Sequence, residues 1–147
     1  MATSRPNETP ELQHVRSYWS NMLPSSPIYT FLLSSIDLTS ASHGTVAARL
    51  TLAPTHMNSK GTLHGTVSAC IVDCFGGLAI ASTGLEKTGV STDIHVTYVS
   101  AAKAGDMLEI EARAKKVGGT MAFTTVEIRK EGGGMVAMGG HTKFIRT

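Results

Sequence analysis

At 147 residues the chain suits one domain, with room for a real core but not for two comfortable ones. Hydrophobic residues at 41% against 16% charged residues describe a folded globular protein and exclude a disordered one. A formal charge of +2, with no Lys/Arg cluster interleaved with aromatics, argues against a nucleic-acid partner.

The first ten residues lack the apolar segment of a secretory signal. Arg5 and the nearby Ser and Thr are offset by Glu8 and Glu11, which makes a poor mitochondrial transit peptide. The cytoplasm is therefore the expected compartment, with the mitochondrion as alternative, and the formal glycosylation acceptor Asn7-Glu8-Thr9 is discounted. From about Thr9 to Leu23 an amphipathic helix is expected, because Leu12, Val15, Trp19 and Met22 recur at three- and four-residue steps. Thr9-Pro10-Glu11 supplies its N-cap, a first-turn proline and a first-turn acid. Pro24-Ser25-Ser26-Pro27 ends it. Tyr29 to Thr39 is compatible with a short helical turn and then a strand through Leu33 and Ile36. Thr45 to Leu52 alternates cleanly, with Val46, Ala48, Leu50 and Leu52 on one face, and predicts a half-buried strand.

Gly61 to Leu85 carries one charged side chain, Asp73, in a run of apolar and small residues. The run is long enough to span a membrane, but a central acid and many Gly, Ser and Thr residues favour a buried core helix and no membrane span. Cys70 and Cys74, four apart, share one face of such a helix. They predict reduced core thiols, and without a second ligand pair no metal site is expected. Gly76-Gly77 sit mid-helix at a cost of about 1 kcal/mol each, which predicts close backbone approach to a sheet or a neighbouring subunit. Beyond the helix, Ser91 to Val99, Met107 to Val117, Thr120 to Lys130 and Met135 to Ile145 read as four strands. Gly118-Gly119 and Gly132-Gly133-Gly134 are their turns, so an antiparallel meander is expected. The fold class is α+β: an antiparallel sheet wrapped around a long apolar helix, with an extra N-terminal helix.

A buried carboxylate is costly unless paired, hydrogen-bonded or used, and no cation near Asp73 in sequence would pair it. Gly61-Thr62-Leu63-His64-Gly65 reads as a helix start whose free amides can receive developing negative charge. An acid and an oxyanion-accepting helix end suit acyl transfer. No Walker A loop, GxGxxG, HExxH or GxSxG is present, and the two cysteines lack an activating partner.

Asn58, the His64-Gly65 pair, Asp73 and Gly89-Val90-Ser91, together with Thr97-Tyr98-Val99-Ser100 and His141-Thr142-Lys143, resemble the hotdog-fold acyl-CoA thioesterases. The likeness is to the branch of thioesterase superfamily member 2 and the phenylacetyl-CoA thioesterases. It runs from about Leu32 to Ile145, so residues 1–31 are taken as an N-terminal helix and linker and 32–147 as one hotdog domain. The resemblance implies that the Gly65 N–H stabilises the oxyanion and that Asp73 acts as base or nucleophile. It further implies that Asn58 positions water or the carbonyl, Ser91 holds the water or Asp73, and His64 orients groups at the helix start. It places coenzyme A, as part of the substrate and with no separate cofactor, near Tyr98, Ser100 and Lys103 and near Lys116, Gly118, Gly119 and Thr120, with Lys143 also a phosphate candidate. Relatives often carry a polar or basic residue where Gly119 stands. The acyl pocket is expected along Leu32, Phe75, Leu78 and Trp19.

Eight residues of one helix separate Gly65 from Asp73 by about 12 Å, too far for both to serve one thioester. A homodimer with shared sites is therefore expected, and the resemblance implies a homotetramer. A medium- or long-chain fatty acyl-CoA is the expected substrate. An aryl-CoA substrate, a hotdog hydratase or dehydratase, and a non-catalytic acyl-CoA binder are the alternatives.

Overall fold

The computed structural model describes residues 8–146. The Arg5 region and Asn7 of the sequence reading lie outside them.

Helix α1 (Pro10–Met22) starts as its sequence requires: the Thr9 hydroxyl accepts from the Leu12 N–H at 3.1 Å, and proline occupies the first turn. Its Leu12, Val15 and Trp19 are buried in the same core as the sheet. A 3-10 turn over Leu23–Ser25 leads to α2 (Pro27–Leu33), capped by Ser26, whose side chain accepts from the Tyr29 N–H. The helical option therefore extends through Leu33, and the strand that follows, β1 (Asp37–Ser42), begins only after Ile36. Strand β2 (Thr45–Thr51) buries Val46, Ala48 and Leu50 as the alternation required.

The central helix α3 is Gly65–Ala81, shorter at both ends than the apolar run. At its start the chain from Asn58 to His64 forms a hydrogen-bonded loop, with Gly61 at φ +73°. At its end Ser82 caps back onto Leu78 and Ile80 and accepts from the Gly44 N–H. The helix is apolar on nearly every side and is buried accordingly.

Strands β3 (Val90–Tyr98), β4 (Met107–Val117), β5 (Met121–Lys130) and β6 (Met135–Phe144) complete one six-stranded antiparallel sheet. Its order is β1-β2-β4-β5-β6-β3. Only β4, β5 and β6 form the expected meander; β3 lies at the far edge against β6. The β3–β4 connection is no hairpin turn. It crosses the strand ends, where Val136 accepts from Ser100, Ala102 accepts from Leu63, and Gly105 donates to Leu52.

One irregularity positions the site. Between Ser91 and Asp93 the register of β3 against β6 slips, because Thr92 is an extra residue opposite no partner. Ser91 is thereby set opposite Lys143 and Ile94 opposite His141, all on the face toward α3.

Candidate active site

The structure collects polar groups at two stations on α3. The first is at its N-terminus. His64 is the N-cap: its Nδ1 accepts from the Thr66 N–H at 3.0 Å, which leaves the neutral ring's proton on Nε2. Asn58 organises the preceding loop, its Oδ1 accepting from the Lys60 and Thr62 N–H groups and its Nδ2 donating to the Thr62 hydroxyl. Gly65 opens the helix, where a backbone N–H has no intrahelical acceptor. The Tyr98 hydroxyl crosses from β3 to donate to the Gly65 carbonyl at 2.9 Å, and its ring lies 3.2 Å from where a Gly65 Cβ would stand.

The second station is two turns further along, around Asp73, whose side chain is 37% exposed. Tyr29 of α2 donates its hydroxyl to Asp73 Oδ2 at 2.6 Å. His141 of β6 places Nε2 3.8 Å from Asp73 Oδ1 and 2.7 Å from the Ser91 hydroxyl. Ser91 makes no direct hydrogen bond to Asp73; the His141 imidazole stands between them. His141 has no solvent contact, and burial, aided by the Lys143 charge, holds it below its ordinary 6.5 despite the opposing pull of Asp73. Its Nδ1 makes no hydrogen bond, and the Asp73 and Val72 backbones only partly oppose the downward shift of the ring.

Lys143 is two residues on from His141 and on the same face, and its position corrects an expectation. The side chain is buried at 8% exposure and donates to the Thr88 hydroxyl, which also bonds Tyr18. It points at α3, away from any surface phosphate. Burial lowers its ammonium from the ordinary value, while Asp73 and Cys74 pull the other way. Asp73 therefore has two basic neighbours, His141 and Lys143, that are remote in sequence.

The helix can come this close to the sheet because of its glycines. A Cβ on Gly76 would stand 2.6 Å from His141 Nδ1 and 2.8 Å from Thr124 Oγ1, so the sheet is what Gly76 approaches. The cysteines are free and buried, and burial pushes the Cys70 thiol up to about 11 and raises Cys74 well above its ordinary value, which disfavours thiolate chemistry.

The remaining predicted contacts fall at opposite ends of α3. Ser100 donates to the Met135 carbonyl, and Lys103 sits in the β3–β4 connection with its N–H on Asp106; both are exposed and belong to the N-terminal end. Lys116 and Gly118 line a separate cleft of about 540 Å³ with His43, Arg113 and Lys115 at the C-terminal end, and Gly119 and Thr120 continue the β4–β5 turn beside it. One chain does not bring these two sets together.

Of the four residues expected along the acyl pocket, Leu32 lines an open groove and the other three do not. Phe75 and Leu78 have no exposure and Trp19 only 7%, so all three are packed core. The open apolar groove, about 530 Å³, is instead lined by Pro27, Ile28, Phe31, Leu32, Met57 and Val67, and by His64 and Thr66 on either side of Gly65. Sequence reasoning missed Tyr29, which lay in the ambiguous segment, and the role of His141. The strand pattern gave no signal for the latter, since His141 shares its parity with Lys143 while Val136, Met138 and Phe144 fall on the other face.

The model of the thioesterase superfamily matches residues 60–137. Acyl-coenzyme A thioesterase 13 of Homo sapiens is 39% identical over 115 residues, which cover 78% of this chain and 82% of that protein. The solved structure of thioesterase superfamily member 2 from Mus musculus aligns with a TM-score of 0.81 at 31% identity, covering 92% of this chain and 98% of that one. A Streptococcus mutans structure solved bound to acetyl CoA aligns at 25% identity with a TM-score of 0.70, covering 76% of this chain and 91% of that one. The sheet wrapped around α3 is the hotdog architecture of these neighbours. Among the described residues, no helix is long and apolar enough to cross a membrane.

Proposed function

We propose, from the premise that this chain belongs to the thioesterase superfamily and is an acyl-CoA thioester hydrolase, that it cleaves medium- to long-chain fatty acyl-CoA to free acid and coenzyme A. The observation that carries the chain-length reading is the apolar groove beside Gly65, with Ile28 at 64% and Phe31 at 67% exposure. A thioester carbonyl received by the Gly65 N–H would direct its acyl chain along that groove. Coenzyme A is part of the substrate, and no separate cofactor takes part.

In this reading the Gly65 N–H and the start of α3 stabilise the oxyanion, with Asn58 and His64 ordering that end. Asp73 removes the proton from water, or attacks the carbonyl to give a mixed anhydride that water then opens. Ser91, through His141, holds the acid side of the site. Tyr98, Ser100, Lys103, Lys116, Gly118, Gly119 and Thr120 are the candidate coenzyme A contacts.

Gly65 and Asp73 stand on one continuous helix, about 12 Å apart along its axis. Each site then takes Gly65 from one subunit and Asp73 from another. The edge strand β3, nine residues long with Val90, Ile94 and Tyr98 exposed, has the properties of a strand that pairs with a second copy. A homodimer, and a homotetramer built from it, are the assemblies proposed.

The test is free-thiol release from a panel of acyl-CoAs of increasing chain length, with phenylacetyl-CoA included. Asp73→Ala is expected to lose about 10²–10⁴-fold in kcat. Undiminished hydrolysis would overturn the mechanism, and a preference for phenylacetyl-CoA would overturn the chain-length reading. Reassembling Asp73→Ala with Asn58→Ala subunits should restore activity above either parent, provided Asn58→Ala alone is inactive. Hybrids no better than their parents would refute the shared site.

A further inference from the structure

The N-terminal helices lie outside the matched 60–137 segment, yet one of them touches the candidate acid. Helix α2 uses two faces. Ile28 and Phe31 line the open groove, while Tyr29 turns inward to Asp73. The tyrosine is held from several sides. Its ring lies against Trp19 with centroids 6.0 Å apart, its N–H caps onto Ser26, and the Leu32 carbonyl of the same helix is bonded to His56 Nε2. The His56 Nδ1 accepts from Ala53, so its Nε2 carries the proton and donates to Leu32.

We propose that Tyr29 is a positioning residue of the hydrolytic site, its hydroxyl fixing Asp73 Oδ2 so that Oδ1 is the oxygen that acts on water or the thioester. The proposal rests on the reading of Asp73 as base or nucleophile. A carboxylate has two equivalent oxygens and a freely turning end. A 2.6 Å hydrogen bond from a half-buried phenol removes one oxygen from competition and sets the plane of the other. Oδ1 is left on the side of His141 Nε2, 3.8 Å away, and of Ser91 beyond it. Burial, reinforced by Cys74 and by Asp73 itself, pushes the Tyr29 hydroxyl well above its ordinary value. It keeps its proton and acts only as donor.

The donor also stabilises the charged carboxylate, so the pH profile reads its presence. The titratable groups facing Asp73 are Tyr29 from α2, Cys70 and Cys74 from α3, and His141 and Lys143 from β6. Ser91 of β3 stands behind His141, and Tyr18 of α1 stands behind Lys143 through Thr88. Only the first of these groups changes in the test.

The experiment compares the pH dependence of kcat/KM for the full chain, Tyr29→Phe, and a variant with trifluorotyrosine inserted at position 29, on one fatty acyl-CoA. Tyr29→Phe keeps the ring and its packing on Trp19, and its acid limb should move up by about one pH unit, with kcat reduced and KM changed less than twofold. The fluorinated phenol is a stronger donor, so its acid limb should move down. Opposite displacements support the proposal. Acid limbs that coincide with the parent's overturn it, and if Tyr29→Phe does not fold, the fluorotyrosine limb decides alone. Asp73→Ala, run alongside, separates the two readings. Full activity there removes the premise, whereas an inactive Asp73→Ala with unmoved limbs in the Tyr29 variants refutes only the positioning role.

Discussion

Two adjacent glycines in α3 should respond to alanine in opposite directions. Alanine in place of helical glycine gains about 1 kcal/mol through reduced backbone freedom in the unfolded chain. At Gly77 nothing opposes that gain, since the nearest atoms, Lys143 Nζ and Thr88 Oγ1, stand 3.5 Å from the added Cβ, an ordinary contact. At Gly76 the same methyl meets His141 Nδ1 at 2.6 Å, Thr124 Oγ1 at 2.8 Å and His141 Cβ at 2.9 Å. His141 Cβ is anchored to β6, which is paired on both sides, so the helix and sheet must part, at about 2–3 kcal/mol, the upper part of the overpacking range. The net expectation is a gain of about 0.5–1 kcal/mol for Gly77→Ala and a loss of about 1–2 kcal/mol for Gly76→Ala. At about 3 °C per kcal/mol for a chain of this size, the two melting points should differ by about 5–9 °C. Displacing His141 also breaks its 2.7 Å contact with Ser91, so Gly76→Ala should lose about tenfold in kcat while Gly77→Ala retains it. Thermal unfolding at matched protein concentration, paired with thiol-release kinetics, measures both effects. If Gly76→Ala melts at or above Gly77→Ala with parental kcat, the close packing of helix on sheet is refuted.

Thr9→Ala removes both the α1 cap to Leu12 and a 2.7 Å hydrogen bond from the same hydroxyl to the Ala41 carbonyl. A loss of about 1–2 kcal/mol is expected in urea unfolding, and a loss below a few tenths would contradict the tie between α1 and β1. Stability should also fall as pH drops below 6.5. His141 is held below that value in the fold, so the unfolded chain binds the proton more readily and stability rises with pH through this window. The His141 contribution to the slope is at most about 1.4 kcal/mol per pH unit, and His141→Gln should flatten the curve just below pH 6.5. An unchanged slope would mean that the imidazole is charged in the folded protein.

Local signals were legible wherever the residues that make an element also mark its ends. Thr9-Pro10-Glu11 fixed the start of α1, and strict alternation fixed β2 to within about a residue. The apolar run gave α3 but not its limits, because Thr62, Leu63 and His64 look helical by composition while the chain is turning around Asn58. The place of β3 was not legible. Pairing partners are set by packing around α3, and a connection of eight residues between Tyr98 and Met107 can cross the strand ends as easily as it can turn. The same limit governs the site. Asn58, Gly65 and Asp73 were readable as a motif, but Tyr29 and His141 reach Asp73 from 44 and 68 residues away in the chain. Lys143 was read as a surface cation because lysine usually is one, and the parity of β6 turns it inward.

That notion of parity gives the slip at Thr92 a meaning beyond local geometry. Counting back by twos from Ile94, Ser91 would share a face with Asp93 and look away from the helix. The extra residue resets the count, and everything before it, Val90 and Ser91, changes sides relative to a plain strand. A single inserted residue, with no change in the identity of Ser91, thus decides whether that hydroxyl meets His141 or solvent. Homologous chains should accordingly be aligned here by face and not by residue count: removing Thr92 leaves Ser91 inside on a regular strand, and adding one more residue beside it need not.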